Sequence, residues 1–442
     1  MRSSCLILCA LLWMCAHCVG HAAAQQVPQA RAALIRLRNG MPNVFAKLRS
    51  GHTARIAYFG GSITAQEGWR VKTLQWFRST YPASRVEEIN ATIGGTGSDL
   101  GAFRCRRDVL DLRPDLVFIE FAVNDAGRPP AAILRSMEGI VRQIWKANRF
   151  TDICFVYTYV TGFQQDLEKG VCPSAAAVDE AIADHYGIPS VNVALRIAEL
   201  VREGTVLPVP PRDGSGRVLP VPSGTILFST DGVHPLDAGH QIYAQVVEKA
   251  LAQAASHPQR AAHTLPEPIT RDNWEDAALV PVQPAMLSPG WRKLPPDDPI
   301  ARAFHNRLPE VWEAAKPGDT IAFTLEGTFA GVYDVMGPDA GIAECFVDGK
   351  PVGLRSRFDV FCTYHRLASF TVAEGLPPGS HRIMVAVSAQ EPDRSAVLDT
   401  VKSQPGFDAN KYRGTVLRIG YLMVRGRILG DRTGRTGTEK SL

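Results

Sequence analysis

From residue 55 to about 254, short β-branched runs alternate with amphipathic stretches, and this alternation constrains the fold more than any other feature of the chain. The runs cover 56–59, 86–89, 116–121, 153–157 and 190–193. Strands this apolar are buried on both faces, which is the habit of parallel sheets. Helical patterns lie between them, over 69–80, about 131–148, up to Tyr186-Gly187, and about 238–255. They supply the crossovers that parallel pairing requires. The pattern predicts an α/β fold with a doubly wound, flavodoxin-like parallel sheet. Ligands of such a sheet gather outside the carboxyl ends of its strands.

The pattern then changes. Pro208, Pro210, Pro211, Pro220 and Pro222, mixed with Gly214, Gly216 and Gly224, predict a long irregular loop before Phe228. Residues 263–298 read as a Pro-rich connector with little periodicity. Beyond them the chain turns all-β, with strands expected over 320–326, 330–335, 343–347, 368–372, 382–387 and 416–424. Turn signals such as Asp348-Gly349 and Pro377-Pro378-Gly379 separate them. The spacing predicts a C-terminal β-sandwich, jelly-roll-like, over 299–429, with glycan binding as a candidate role. A polar tail fills 430–442. With 442 residues, two folded units are the natural division.

The first residues read as a targeting segment. Arg2 is followed by a mostly apolar stretch over 5–19, and Ala22-Ala23-Ala24 offers small residues for cleavage before Gln25. The apolar run is shorter than the ~20 residues of a spanning helix. A signal peptide over 1–24 is expected, hence a secreted protein of the bacterial periplasm or exterior, with the α/β domain over 25–262 and no integral membrane segment after cleavage. Cleavage removes four of the nine cysteines and leaves Cys105, Cys154, Cys172, Cys345 and Cys362. They form no C-x-x-C pair and no Cys/His cluster at zinc spacing, so neither metal nor cofactor is expected. A net charge of +4 without a basic block gives no reason to expect nucleic acid as a partner.

Four short blocks carry possible chemistry. Phe59-Gly60-Gly61-Ser62-Ile63-Thr64 puts a serine at a strand-to-helix turn, where a hydroxyl and a backbone N–H can both face a substrate. By itself such a turn is more often a helix cap. Asn90 to Ser98 is a glycine-rich loop after the second strand, able to aim backbone N–H groups into a cleft. Asn124, after the third strand, offers a neutral amide donor suited to an oxyanion; its neighbour Asp125 reads as the cap of the next helix. In Asp231-Gly232-Val233-His234-Pro235 a carboxylate three residues ahead of a histidine can fix its tautomer and stabilise the imidazolium. His185, His240, His365 and His381 read as structural.

The ordered set Ser62, Gly95, Asn124 and Asp231/His234 resembles the SGNH (GDSL-like) hydrolase family, whose four blocks carry Ser, Gly, Asn and a D-x-x-H pair. The resemblance implies a triad of Ser62, His234 and Asp231. It also implies an oxyanion hole formed by the N–H groups of Ser62 and Gly95 and the side chain of Asn124. Gly95 is preferred to Gly94 because it stands five residues after Asn90, as the family pattern has it. The first block departs from the common Gly-Asp-Ser in having Gly61. The elbow Gly-x-Ser-x-Gly of α/β-hydrolases is not matched either, since Thr64 stands at its second glycine. The chain is most similar to secreted carbohydrate O-acetylesterases with an added β-sandwich, which implies an acetylated carbohydrate as substrate. The alternatives are a lipid, aryl or thioester hydrolase, a sugar O-acyltransferase, and a glycan-binding protein with an inactive hydrolase domain. All the implied catalytic residues precede the connector, so the second domain is expected to hold a polymer or wall the cleft, and a chain ending near Ala262 is expected to keep activity on a small ester.

Overall fold

The computed structural model describes residues 30–256 and 259–429. The expected signal peptide and polar tail lie outside these residues. Five parallel strands, β2 (Ala54–Gly60), β3 (Val86–Asn90), β4 (Leu116–Glu120), β5 (Asp152–Tyr157) and β6 (Ser190–Asn192), form the first sheet, and β1 (Ile35–Arg36) pairs antiparallel at its edge. The order β1-β6-β5-β4-β2-β3 puts the first parallel strand between the second and the third, the flavodoxin-like arrangement. Its switch point lies between β2 and β4, the strands that precede Ser62 and Asn124.

Alternation along the strands sends neighbouring side chains to opposite faces. Ile56, Tyr58, Leu116, Phe118, Cys154 and Val156 join one core, with α1 (Pro42–Arg49), α3 (Trp69–Thr80), α8 (Val193–Arg202) and α9 (Asp237–Ala254). Ala57, Phe59, Val117, Ile119, Ile153 and Phe155 join the other, with α4 (Ser98–Asp108), α5 (Pro130–Ala147) and α7 (Ser174–Tyr186). Both faces are covered, so the carboxyl edge is what this sheet leaves free. No helix among the described residues is long and apolar enough to cross a membrane.

The second domain is antiparallel and all-β. Its sheet runs β10 (Arg292–Lys293), β11 (Trp312–Ala314), β17 (Leu417–Leu429), β12 (Thr320–Met336), β16 (Ser380–Val387), β13 (Ile342–Val347) and β14 (Lys350–Ser356). In addition β15 (Arg366–Glu374) pairs with β12, and β9 (Ala277–Pro281) with β17. The two strands expected over 320–326 and 330–335 are one strand, β12. Its first half pairs with β16 and its second with β15, with register shifts near Gly327 and Ala330. Gly327 has no room for a side chain, because the Arg425 carbonyl oxygen lies 2.1 Å from where its Cβ would stand.

The segment 263–298 is not a loose tether. It carries β9 and β10, and Trp274 passes so close to α5 that a Cβ on Gly139 would meet Trp274 backbone atoms within 2.8 Å. Periodicity could not reveal this, because the segment is held by partners far along the chain. The second domain closes over α4 and α5: Phe329 packs tilted against Phe103 with ring centroids 4.8 Å apart, and Trp274 lies 5.4 Å from Phe103. Leu308, Val311, Tyr333 and Met423 belong to the same continuous core as the α4 and α5 side chains. Arg307 pairs with the buried Asp108 at 3.5 Å, and Arg142 with Glu275 at 2.6 Å. The apolar face of α4 is therefore dry only while the second domain is seated, which speaks against the active truncation expected from the position of the motifs. The five cysteines Cys105, Cys154, Cys172, Cys345 and Cys362 are buried and unbonded.

Candidate active site

Ser62 opens the short helix α2 (Ser62–Ala65) directly after β2. As the first helical residue its N–H has no intrahelical acceptor. The turn is tight on both sides. A Cβ on Gly60 would lie 2.7 Å from the Glu120 carbonyl oxygen, and one on Gly61 would lie 1.9 Å from Asn124 Oδ1. With Asn124 placed as it is, a side chain at position 61 would push its amide aside.

The glycine-rich loop folds back onto this turn, with Ile93 N–H donating to the Gly60 carbonyl at 3.0 Å. A Cβ on Gly94 would stand 3.5 Å from Ser62 Cβ. Gly95 adopts φ +71°, a left-handed conformation that favours glycine. Asn124 follows β4 in the third loop. Asp125 does not cap the next helix, which begins at Pro130 behind Pro129. Instead its Oδ1 accepts the Ser98 N–H at 3.0 Å and the Arg128 guanidinium at 2.8 Å, pinning the start of α4. Burial pushes its carboxyl above the usual range, against the pull of Arg128.

The last block closes the arrangement. His234 Nε2 lies 2.8 Å from Ser62 Oγ, and Nδ1 lies 2.7 Å from Asp231 Oδ2. A carboxylate only accepts, so Nδ1 carries the proton and Nε2 is free to accept from the serine hydroxyl. Asp231 Oδ1 accepts the N–H groups of Val233 at 2.9 Å and His234 at 2.8 Å, and the hydroxyl of buried Ser229 at 2.8 Å. Partial burial opposes ionisation of Asp231, but these bonds and the His234 ring hold its carboxyl well below the usual range. The side chains of His234 and Asp231 are 39% and 51% exposed, so water reaches this end of the site. The four blocks thus meet at one edge.

His240 is buried under the nucleophile turn, accepting from Trp69 N–H at Nδ1 and facing Gln66 Oε1 with Nε2. Burial pushes it down to about 4, which keeps it neutral. His185, His365 and His381 bind backbone or carboxylate groups away from these blocks.

Sequence reasoning missed Ser229, and it named no residue for the cleft wall that it expected of the second domain. A cleft of about 350 Å³ is lined by Gly95 and Asn124 on one side and by Ser356, Arg357 and Arg366 on the other. Arg357 is tied to Asp334 at 2.7 Å and Arg366 to Asp359, so the loop between β14 and β15 is anchored at both ends. It also missed Glu120, whose carboxylate accepts from Thr64 and Thr158. A charged residue closing an otherwise apolar strand was the available signal.

Residues 58–242 match the model of the GDSL-like lipase/acylhydrolase family. A two-domain esterase active on acetylated mannans, solved alone and with mannopentaose, is similar over 89% of this chain and 99% of its own, with TM-score 0.66 and 22% identity. That likeness extends the shared fold across both domains. Among curated proteins, the uncharacterized lipoprotein YqeF of Bacillus subtilis (strain 168) is 33% identical over 97 residues, 20% of this chain. The chain spans 40% of the length of that relative. The α/β domain of this chain is thus similar to the GDSL-like lipase/acylhydrolase family, and the fold shared with the two-domain esterase runs through both domains.

Proposed function

We propose that this chain is an exported serine esterase that removes O-acetyl groups from a carbohydrate or polysaccharide, with Ser62 as nucleophile. The observation that carries the reading is the unbroken relay from Ser62 Oγ to His234 Nε2 at 2.8 Å and from His234 Nδ1 to Asp231 at 2.7 Å. His234 takes the serine proton as Oγ attacks the ester carbonyl, and Asp231 stabilises the imidazolium that results. The charge that develops on the carbonyl oxygen is met by the N–H groups of Ser62 and Gly95 and the amide of Asn124. Collapse of the tetrahedral intermediate breaks the bond to the sugar oxygen, which leaves with the proton from His234. Water then attacks the acetyl-enzyme by the same route and releases acetate. Exposure of His234 and Asp231 gives water that access.

Two observations support a carbohydrate ester. The cleft beside Asn124 is shared with the second domain, which gives a polymer a second surface to lie on. The two-domain protein with the same fold acts on acetylated mannans. The reading is tested by acetate release from a panel of acetylated polysaccharides, alongside p-nitrophenyl acetate. Wild type is expected to release acetate from at least one glycan, and Ser62→Ala to lose several orders of magnitude on every substrate. Cleavage of the small ester with no acetate from any glycan would move the substrate to another ester class.

A further inference from the structure

Resting on the assignment of Ser62 above, we infer that Glu120 is a positioning residue, a single buried carboxyl group that holds the serine turn, the Asn124 loop and the support of the His234 turn in register. Glu120 closes β4, four residues ahead of Asn124, and is 1% exposed. Its Oε2 accepts the hydroxyl of Thr64 at 2.7 Å, two residues beyond Ser62 in the same short helix. Its Oε1 accepts the hydroxyl of Thr158 at 2.9 Å, directly after β5. Its carbonyl oxygen accepts the N–H of Gly61 at 3.3 Å.

The Thr158 contact reaches further. Three residues on, Thr161 N–H donates to the Gly232 carbonyl at 3.0 Å, and the Thr161 side chain fills the space where a Gly232 Cβ would point. Gly232 sits between Asp231 and His234. One carboxyl group therefore touches the serine helix directly, leads into the Asn124 loop along the chain, and reaches the His234 turn through the segment from Thr158 to Thr161; Thr64 and Thr158 are fully buried.

A buried carboxyl with only hydroxyl partners is an expensive choice for packing alone, since an apolar side chain would fill the space without the desolvation cost. The groups acting on it are the two threonine hydroxyls, the Gly61 N–H and the Asp125 carboxylate. Tyr243 on α9 and Asp179 on α7 feel its charge, and the Arg104 guanidinium on α4 donates to Ala91, Asp108 and the Gly60 carbonyl rather than to Glu120. What the carboxyl offers that an apolar residue cannot is two fixed acceptors pointing at two different loops. Displacements of about 1 Å at a reacting centre can cost on the order of 10²-fold in rate.

The test measures kcat and KM on p-nitrophenyl acetate with active sites counted by a fluorophosphonate. Glu120→Ala is expected to lower kcat per titrated site by about 100-fold with KM within about threefold, because the transition state suffers and ground-state binding does not. Glu120→Gln, which keeps the volume and one acceptor, is expected to recover to within about tenfold of wild type. Thr158→Val is expected to lower kcat by itself and to add nothing to Glu120→Ala. Should Glu120→Ala fail to fold, Thr64→Val and Thr158→Val carry the test, with the double variant no worse than the product of the singles. Unchanged kcat per titrated site in Glu120→Ala, or a loss confined to KM or to the number of titratable sites, overturns the inference while leaving Ser62 in place. Turnover retained by Ser62→Ala would instead remove the reading on which the inference rests.

Discussion

The parallel sheet and the antiparallel sheet of this chain are both built on period-two alternation, yet they expose different things. The parallel sheet is covered on both faces, so its carboxyl edge is where loops are free to meet, and there Ser62, Gly95 and Asn124 stand at the ends of β2, β3 and β4. The antiparallel domain uses a face of β12 and β17 to cover α4 and α5, through Phe329, Tyr333 and Met423. Its share of the cleft comes from the loop between β14 and β15, the flanking strand ends and Met336 of β12. Topology gathers the chemistry in the first region, while docking brings the second region to it. The two are coupled through the apolar contact around Phe103, Trp274 and Phe329.

If that coupling is real, the largest effect comes from cutting it. A chain ending near residue 262 exposes the buried face around Leu100 and Phe103 and leaves Asp108 without Arg307. It is expected to be insoluble or to lose cooperative unfolding, followed by circular dichroism. A soluble truncation with the melting temperature and small-ester turnover of the full chain would show that the domains are independent. A milder cut is Phe329→Ala. It removes a fully buried ring from the seam and is expected to cost about 3–5 kcal/mol in denaturant unfolding, with kcat of the folded fraction within about twofold. A large loss of kcat with little loss of stability would mean that the seam serves catalysis directly.

The sheet edge can be probed by pH. Burial pushes the Glu120 carboxyl up to about 7 from 4.5. A folded value above the unfolded one means that its contribution is complete below about 4.5 and is lost as pH rises toward 7. Glu120→Gln cannot ionise, so its stability relative to wild type should rise by about 3 kcal/mol between those limits and stay level above them. A difference that does not vary with pH would place Glu120 in a more polar setting. A smaller effect is expected from Gly61→Ala, whose Cβ would collide with Asn124 Oδ1. It should cost about tenfold to 100-fold in kcat on a small ester, by displacing the amide from the developing oxyanion. Wild-type turnover in that variant would separate Asn124 from catalysis.

Much of this was legible in the sequence, for physical reasons. The helix expected over 69–80 is α3, and the strand over 153–157 lies within β5, because their burial patterns are local and strong. The serine, asparagine and D-x-x-H blocks were visible because each follows a strand or precedes a helix, where the chain order fixes their meeting place. Gly61 was visible only as an anomaly, since the atom that a side chain there would push aside belongs to Asn124, sixty-three positions later in the chain. The segment 263–298 was read as a connector because β9 owes its form to β17, near the far end of the chain. The β14–β15 loop carries no motif at all. Asp359 and Arg366 look like ordinary surface charges until the domain is docked.

The central claim is that Ser62, activated by His234 and Asp231, is the nucleophile of an ester hydrolase. Its most direct test is covalent labelling with a fluorophosphonate followed by peptide mass mapping. The account predicts one adduct per chain, on the peptide containing Ser62, formed in step with loss of esterase activity and abolished in Ser62→Ala and His234→Ala. Full inactivation with the adduct on another residue, or an esterase untouched by the reagent, would contradict it.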